Sequence, residues 1–161
     1  MSELPILIAG ATASGKSALA LALAEKYNGC VINADSMQVY DTLHVLTARP
    51  PKEDLRRAPH LLYGHVPVAA PYSVGQWQAE ALAAIDEAQK NGQRPILAGG
   101  TGLYFKSLTE GLADIPDIPE TVRASLHARL DSDGLAVLYA ELQRVDSALA
   151  ARLPSTDSQR I

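Results

Sequence analysis

An α/β fold, with a parallel sheet flanked by helices, is what three features of this 161-residue sequence predict. Ile6-Leu7-Ile8-Ala9 is a short unbroken apolar run, the pattern of a strand covered on both faces. It leads into Gly10-Ala11-Thr12-Ala13-Ser14-Gly15-Lys16-Ser17, a match to G-x-x-x-x-G-K-[ST], and an Ala- and Leu-rich helical stretch follows. Two further apolar runs, Cys30 to Ala34 and Pro95 to Ala98, alternate with helical patterns, as in the βα units of a parallel sheet. Strand, glycine loop and helix together make the expected sheet P-loop NTPase-like.

The loop itself predicts a ligand. Its glycines let successive backbone amides turn inward and, with the N-terminus of the next helix, surround a phosphate oxygen. Lys16 adds a mobile positive charge, and the Ser17 hydroxyl suits a magnesium ion bridging two phosphates. Residues 10–17 are therefore the candidate nucleotide or diphosphate site, with Ser17 the candidate metal ligand.

Taken in order, the first strand is followed by a helix over Ser17 to Tyr27, which Asn28-Gly29 ends. Asp35 and Ser36 fall just beyond the second strand, at the sheet edge where open α/β folds bind ligands. From Met37 to Pro71 the periodicity fails and prolines 50, 51, 59, 67 and 71 interrupt, which predicts loop-like, partly extended chain with functional contacts. Ser73-x-x-Gln76 reads as a capping box, and Trp77, Ala81, Ala84, Ile85 and Ala88 form an apolar stripe that Asn91-Gly92 ends. Trp77 lies on that stripe and so reads as core. A second glycine turn, Gly99-Gly100-Thr101-Gly102, follows the third strand and precedes a helix over Leu103 to Leu108.

At Ala113 the character changes, so residues 1–112 are expected to form the P-loop core and 113–161 a helical annex. Ile115-Pro116-Asp117-Ile118-Pro119 reads as a stiff connector. Val122, Leu126 and Leu130 then mark one helical face, and Leu135, Leu138, Leu142 and Val145 another. Pro154 to Asp157 reads as the start of one more helix, and with Ile161 so close behind, the chain is expected to be cut short.

Composition excludes several classes. Hydrophobic residues make up 47% of the chain, enough for an ordinary core, and 14 basic against 18 acidic residues give a formal charge of −4. That balance does not advertise nucleic-acid binding, so any RNA contact must be local. The single cysteine, Cys30, is expected to be a small core residue in a reducing cytosol. No segment approaches the length of a membrane span, and the protein reads as cytoplasmic. His44, His60, His65 and His127 lack metal-ligand spacing, which disfavours zinc chemistry. What remains suits transfer chemistry on a phosphorylated substrate: lysine and magnesium for phosphate charge, and Asp35 as proton acceptor, with a helix cap or outer magnesium partner as its alternative role.

The sequence resembles the tRNA dimethylallyltransferases, also called tRNA isopentenyltransferases. The matching segments are residues 10–17, Asp35-Ser36-Met37-Gln38-Val39-Tyr40, Ala58-Pro59-His60, Tyr72-Ser73, Gly99-Gly100-Thr101-Gly102-Leu103-Tyr104 and Gln159-Arg160. The resemblance spans the whole chain and implies that it is the family's N-terminal half. It implies transfer of a dimethylallyl group from dimethylallyl diphosphate to the N6 amine of the adenosine adjacent to the 3′ end of the tRNA anticodon. The loop, common among ATP-binding proteins, would then hold an allylic diphosphate. By the same resemblance Asp35 is the general base, and Asp35, Ser36, Met37 and Gln38 contact the target nucleotide. Thr101 and Arg123 are implied as further catalytic residues near the reacting groups, where they steady the pyrophosphate and the RNA, and Gln159, Arg160 and Ile161 begin another tRNA-contacting segment of a helical insertion. The full-length enzyme is expected to be monomeric. Where the family has a basic residue after Tyr40 and a glycine before Thr-Ala-Lys, this chain has Asp41, Leu46 and Thr47-Ala48-Arg49. Two alternatives stand beside this reading: a small-molecule or nucleotide kinase, and a nucleotide-dependent binding protein.

Overall fold

The glycine motif lies between β1 (Ile6–Ala9) and α1 (Lys16–Lys26) in the computed structural model, which describes residues 4–113 and 118–161. β2 (Gly29–Asn33), α2 (Lys52–Arg57), β3 (His60–Leu61), α3 (Val74–Lys90), β4 (Arg94–Gly99) and α4 (Gly102–Glu110) follow. The four strands form one parallel sheet in the order β1-β4-β2-β3. The chain divides into two compact units, Met1–Ala113 and Asp114–Ile161, and the sheet belongs to the first.

Both faces of the sheet are covered, which is why its strands read as unbroken apolar runs. On one face Ile32 and Leu97 pack with Trp77, Ala81, Ala84 and Ala88 of α3. On the other, Val31, Ile96 and Ala98 meet Ala20, Leu21 and Ala24 of α1. Alternate residues of each strand thus serve opposite layers. Trp77 is fully buried, stacks on Tyr104 at 4.0 Å and donates its indole N–H to the Asn33 carbonyl at 2.9 Å. Truncating so large a core side chain costs about 3–5 kcal/mol. Cys30 is buried too, and burial, reinforced by the charge of Glu87, pushes its thiol up to about 11.

Several elements differ from the sequence pattern. Residues 37–71 hold a short helix, α2, beside the expected loop and extended chain, and the extended part includes the two-residue β3, which pairs with β2 through Val31 and Ile32. Pro50 and Pro51 precede α2, and Pro51 stands at its N-cap position, so these prolines start a short helix instead of excluding one. At the end of α1 the left-handed residue is Asn28, with φ 49°, while Gly29 already belongs to β2. The capping box of α3 forms in full, with Ser73 accepting from the Gln76 amide and Gln76 accepting from the Ser73 amide.

The second unit contains α5 (Glu120–Asp133), α6 (Leu135–Val145) and α7 (Ser147–Ala150). Arg129 of α5 pairs with Glu141 of α6, and the Tyr139 hydroxyl donates to the Ala150 carbonyl at 3.0 Å. No helix starts at Pro154: the last short helix is α7, capped by the Asp146 side chain, and residues 154–161 form turns. Residues 115–117 of the expected connector lie outside the described residues. Among the described residues no helix is long and apolar enough to cross a membrane.

Candidate active site

Because β4 lies between β1 and β2, the segments that leave the carboxyl ends of all three converge at one sheet edge. Gly99 makes the convergence possible. A Cβ there would lie 2.0 Å from the Ala34 carbonyl oxygen, so any side chain would force the ends of β2 and β4 apart. Beside it, a cavity of about 120 Å³ is lined by residues of the glycine loop, by Asp35, Gln38 and Tyr63, by Thr47-Ala48, and by the end of β4.

The loop is shaped to take an anion. Gly15 adopts φ 86°, a left-handed conformation that disfavours other residues, and Ala13 adopts φ 62°. Ser14 closes the turn by donating to the Ala11 carbonyl at 3.3 Å. No side chain caps the N-terminus of α1 and its first turn has no acidic residue, so its orphan amides carry partial positive charge. Lys16 bends back over the loop and donates to the Ala11 carbonyl. An anion in the cavity offers that ammonium a charged acceptor in place of a neutral one. Of residues 10–17, Thr12, Ala13, Lys16 and Ser17 line the cavity. Gly10, Ala11, Ser14 and Gly15 form the backbone behind them.

Asp35 faces the same cavity and is held tightly. One carboxylate oxygen accepts from the Met37 amide at 2.9 Å, a local Asx turn. Its backbone is gripped by Asn33, whose Oδ1 accepts from the Asp35 amide at 2.9 Å and whose Nδ2 donates to the Asp35 and Leu62 carbonyls at 2.9 and 3.0 Å. Asn33 is fully buried, and its side chain is satisfied only in this arrangement. Thr101 adds a second hold: its hydroxyl accepts from the Ser36 amide at 2.9 Å and donates to the Ser36 hydroxyl at 3.3 Å. Thr101 therefore braces the Asp35-Ser36 turn and does not line the cavity. Gln38 lines it, and also donates to the Thr47 carbonyl at 2.9 Å, which keeps the 43–48 turn beside the loop. Ser36 and Met37 lie outside it, Met37 half-exposed.

Oxygen donors Ser17 and Asp35 share this cavity, while no group of three or more metal-ligating side chains occurs among the described residues. That donor set fits a hard divalent cation that takes most of its shell from phosphate and water. In the second unit, Arg123, Gln159, Arg160 and Ile161 line a separate cavity of about 320 Å³ with His127 and Ser158. Arg160 is paired with Asp157, whose carboxyl it holds below the usual range.

Sequence reasoning missed Asn33 and Tyr63. Two of the Asn33 bonds go to Asp35, two residues on, but the third reaches Leu62, 29 positions away, which no local pattern encodes. Tyr63 follows the two-residue β3, and only the pairing of that strand brings it to the cavity.

Residues 38–161 match the family model described as IPP transferase. The chain belongs to that family. A tRNA dimethylallyltransferase of Rhizobium etli is 58% identical over 159 residues, 99% of this chain and 54% of the relative. One from Beijerinckia indica is 56% identical over 97% of this chain and 52% of the relative. Among solved structures, the tRNA isopentenylpyrophosphate transferase of Bacillus halodurans matches 96% of this chain and 52% of its own, with a TM-score of 0.67 and 33% identity. A eukaryotic dimethylallyltransferase described as acting on tRNA matches 95% of this chain and 38% of its own, with a TM-score of 0.80 and 32% identity. The chain thus spans about half the length of the curated relatives it matches. In this member of the IPP transferase family, Arg49 does not line the cavity: its guanidinium donates to the Tyr40 and Asp41 carbonyls at 2.9 and 3.0 Å. Leu46 is 84% exposed at the tip of the same turn.

Proposed function

We propose that the protein transfers a dimethylallyl group from dimethylallyl diphosphate to N6 of the adenosine adjacent to the 3′ end of a tRNA anticodon. One observation carries this reading: a single cavity joins a diphosphate-binding loop to a carboxylate held in a fixed orientation. In the reaction, N6 forms a bond to C1 of the allyl group while the C1–O bond to the diphosphate breaks. The bonding electron pair leaves with the pyrophosphate, and the N6 proton passes to Asp35. The loop amides and Lys16 bear the charge that accumulates on the leaving group. A magnesium ion bound by Ser17, with Asp35 close by, would supply further charge for the leaving diphosphate. Gln38 keeps the 43–48 turn in place as one wall of the cavity.

On this reading Asp35, Ser36, Met37, Gln38 and Thr101 contact the RNA around the target adenosine. Arg123, Gln159, Arg160 and Ile161 contact it from the helical unit, in keeping with the cavity they share there. The partners are tRNA and dimethylallyl diphosphate, and the protein works as a cytoplasmic monomer. The test is incubation of the natural full-length protein with tRNA and dimethylallyl diphosphate carrying label in the allyl group. Label recovered in N6-modified adenosine supports the reading. Diphosphate consumption without label in RNA, or ATP-dependent labelling of another acceptor, refutes it.

A further inference from the structure

Tyr63 has no part in the reaction so far, yet it lines the cavity with Lys16, Ser17 and Asp35. Its ring is held from two sides. The edge contact with His60 places the ring centroids 5.6 Å apart, and the ring packs against the core cluster that contains Ala20, Leu21 and Ala24 of α1. The preceding residue is strained: Leu62 takes φ 62°, and its carbonyl accepts from buried Asn33. A left-handed leucine costs on the order of 1–2 kcal/mol, so the surrounding structure imposes this bend. The bend sets the direction in which the chain delivers Tyr63.

The phenol hydroxyl makes no hydrogen bond to another group among the described residues and is not sealed from solvent. Its cavity neighbours differ in this respect: Lys16 donates to Ala11, Gln38 donates to Thr47, and Asp35 accepts from Met37. Burial, and next the charge of Asp35, push the Tyr63 hydroxyl well above the usual tyrosine range, so it keeps its proton. A protonated phenol on a fixed ring, with its donor unused beside an anion-binding loop, lacks only an acceptor.

We propose that Tyr63 is a substrate-binding residue whose hydroxyl donates a hydrogen bond to an oxygen of the bound diphosphate. The proposal rests on the diphosphate reading of the cavity. The contact is prepared before the ligand arrives, since the ring is already locked and no protein bond must break to free the donor. It also adds a neutral donor to the cationic and backbone donors of the loop, on the wall formed by the segment after β3.

The experiment is calorimetric titration of the full-length protein with inorganic pyrophosphate and, separately, dimethylallyl diphosphate, both with magnesium present. Tyr63→Phe removes the hydroxyl and keeps the ring. Hydrogen bonds to charged groups contribute enough that Kd for both ligands is expected to rise about tenfold, with an unchanged melting temperature. Unchanged Kd values for Tyr63→Phe overturn the proposal. So does a loss seen only in Tyr63→Leu and only for dimethylallyl diphosphate, which would assign the ring to the allyl group. Failure of the parent protein to bind pyrophosphate would instead refute the diphosphate reading, and the Tyr63 contact with it. Parent binding that Lys16→Ala weakens and Tyr63→Phe does not refutes the Tyr63 contact alone.

Discussion

Replacing Asn33 with alanine tests whether the orientation of Asp35 is built from within the core. The substitution removes three side-chain hydrogen bonds, one from the Asp35 amide and two to the Asp35 and Leu62 carbonyls. Each is worth about 1 kcal/mol net, and groups left unpaired in a buried site cost more, so a loss of about 3 kcal/mol is expected. In a unit of this size 1 kcal/mol moves the melting temperature by roughly 4 °C, which places the shift near 12 °C. The catalytic effect should be larger than the stability effect suggests. Asp35 would lose its backbone anchor, and a misplacement of about 1 Å at a reacting group can cost on the order of 10²-fold in rate. The loop hangs on β1 and α1 and should keep its own share of the diphosphate affinity. The Tyr63 wall, however, depends on the Asn33–Leu62 bond, so Kd for pyrophosphate should rise by up to about tenfold, as for loss of the Tyr63 hydroxyl. Asn33→Asp separates positioning from packing. It keeps an acceptor for the Asp35 amide and loses the donor to the Asp35 and Leu62 carbonyls, so it should cost stability as the alanine variant does while retaining more of the transfer rate. Thermal unfolding, pyrophosphate titration and single-turnover transfer measure the three quantities. A melting temperature within about 3 °C of the parent, with parental transfer, would refute the reasoning.

Three further outcomes are expected. Lys16→Ala should weaken pyrophosphate binding and slow transfer sharply, since an ammonium aimed at phosphate oxygens is lost; titration and turnover measure both, and parental kinetics would remove the loop from the reaction. Asp35→Asn should bind diphosphate nearly as well as the parent but transfer about 10²–10⁴-fold more slowly under single-turnover conditions, because an amide cannot take the N6 proton. Tyr63, Tyr72 and Tyr104 are all raised chiefly by burial, Tyr104 to about 12, so the fold favours their protonated forms. Their stabilising contribution is complete below the unfolded value of about 10 and is lost as pH rises through the folded values. The urea midpoint should therefore fall above pH of about 10, and a phenolate absorbance titration should find these three of the six tyrosines silent there unless the protein unfolds.

How much of this was legible in the sequence depended on how local the signal was. The glycine loop, the capping box at Ser73 and the Trp77 stripe are written in residues a few positions apart, and all three have the expected geometry. β3 escaped notice because two residues carry no period, and because Pro59 and Pro67 on either side suggest irregular chain. The expected helix start at Pro154 failed for a related reason: a proline followed by Ser, Thr and Asp suits a turn as well as a helix cap, and the chain there takes the turn. Asp35 could be placed at a strand end from its position alone. What holds it could be read only in part: Asn33 and Met37 bond to Asp35 from two residues away, whereas Leu62, which fixes Asn33, and Thr101, which fixes Ser36, lie 27 and 66 residues beyond Asp35. Thr101 shows the limit of a motif. The resemblance puts it near the reacting groups, while its hydroxyl is engaged with Ser36.

The candidate site works because one strand is out of sequence order. If β2 lay beside β1, the glycine loop and Asp35 would leave adjacent strands, with no room between them for a ligand carrying two phosphates and a nucleophile. Inserting β4 sets them two strands apart, roughly 10 Å at the usual strand spacing. The inserted strand must then end in something small, and Gly99 meets that need by passing against Ala34, while a Cβ on Gly100 would make only an ordinary contact, 3.5 Å from the Asp35 carboxylate. Thr101, immediately after them, ties the end of β4 to Ser36. The same topology carries β3 to the far side of β2, so the chain after it must bend back toward the cavity, and the left-handed Leu62 makes that bend. Asn33 links the two consequences: it grips Asp35 and Leu62 at once, so the carboxylate and Tyr63 are positioned by one buried side chain. A substitution that freed Asn33 would therefore disturb proton transfer and the Tyr63 wall together while leaving the loop intact.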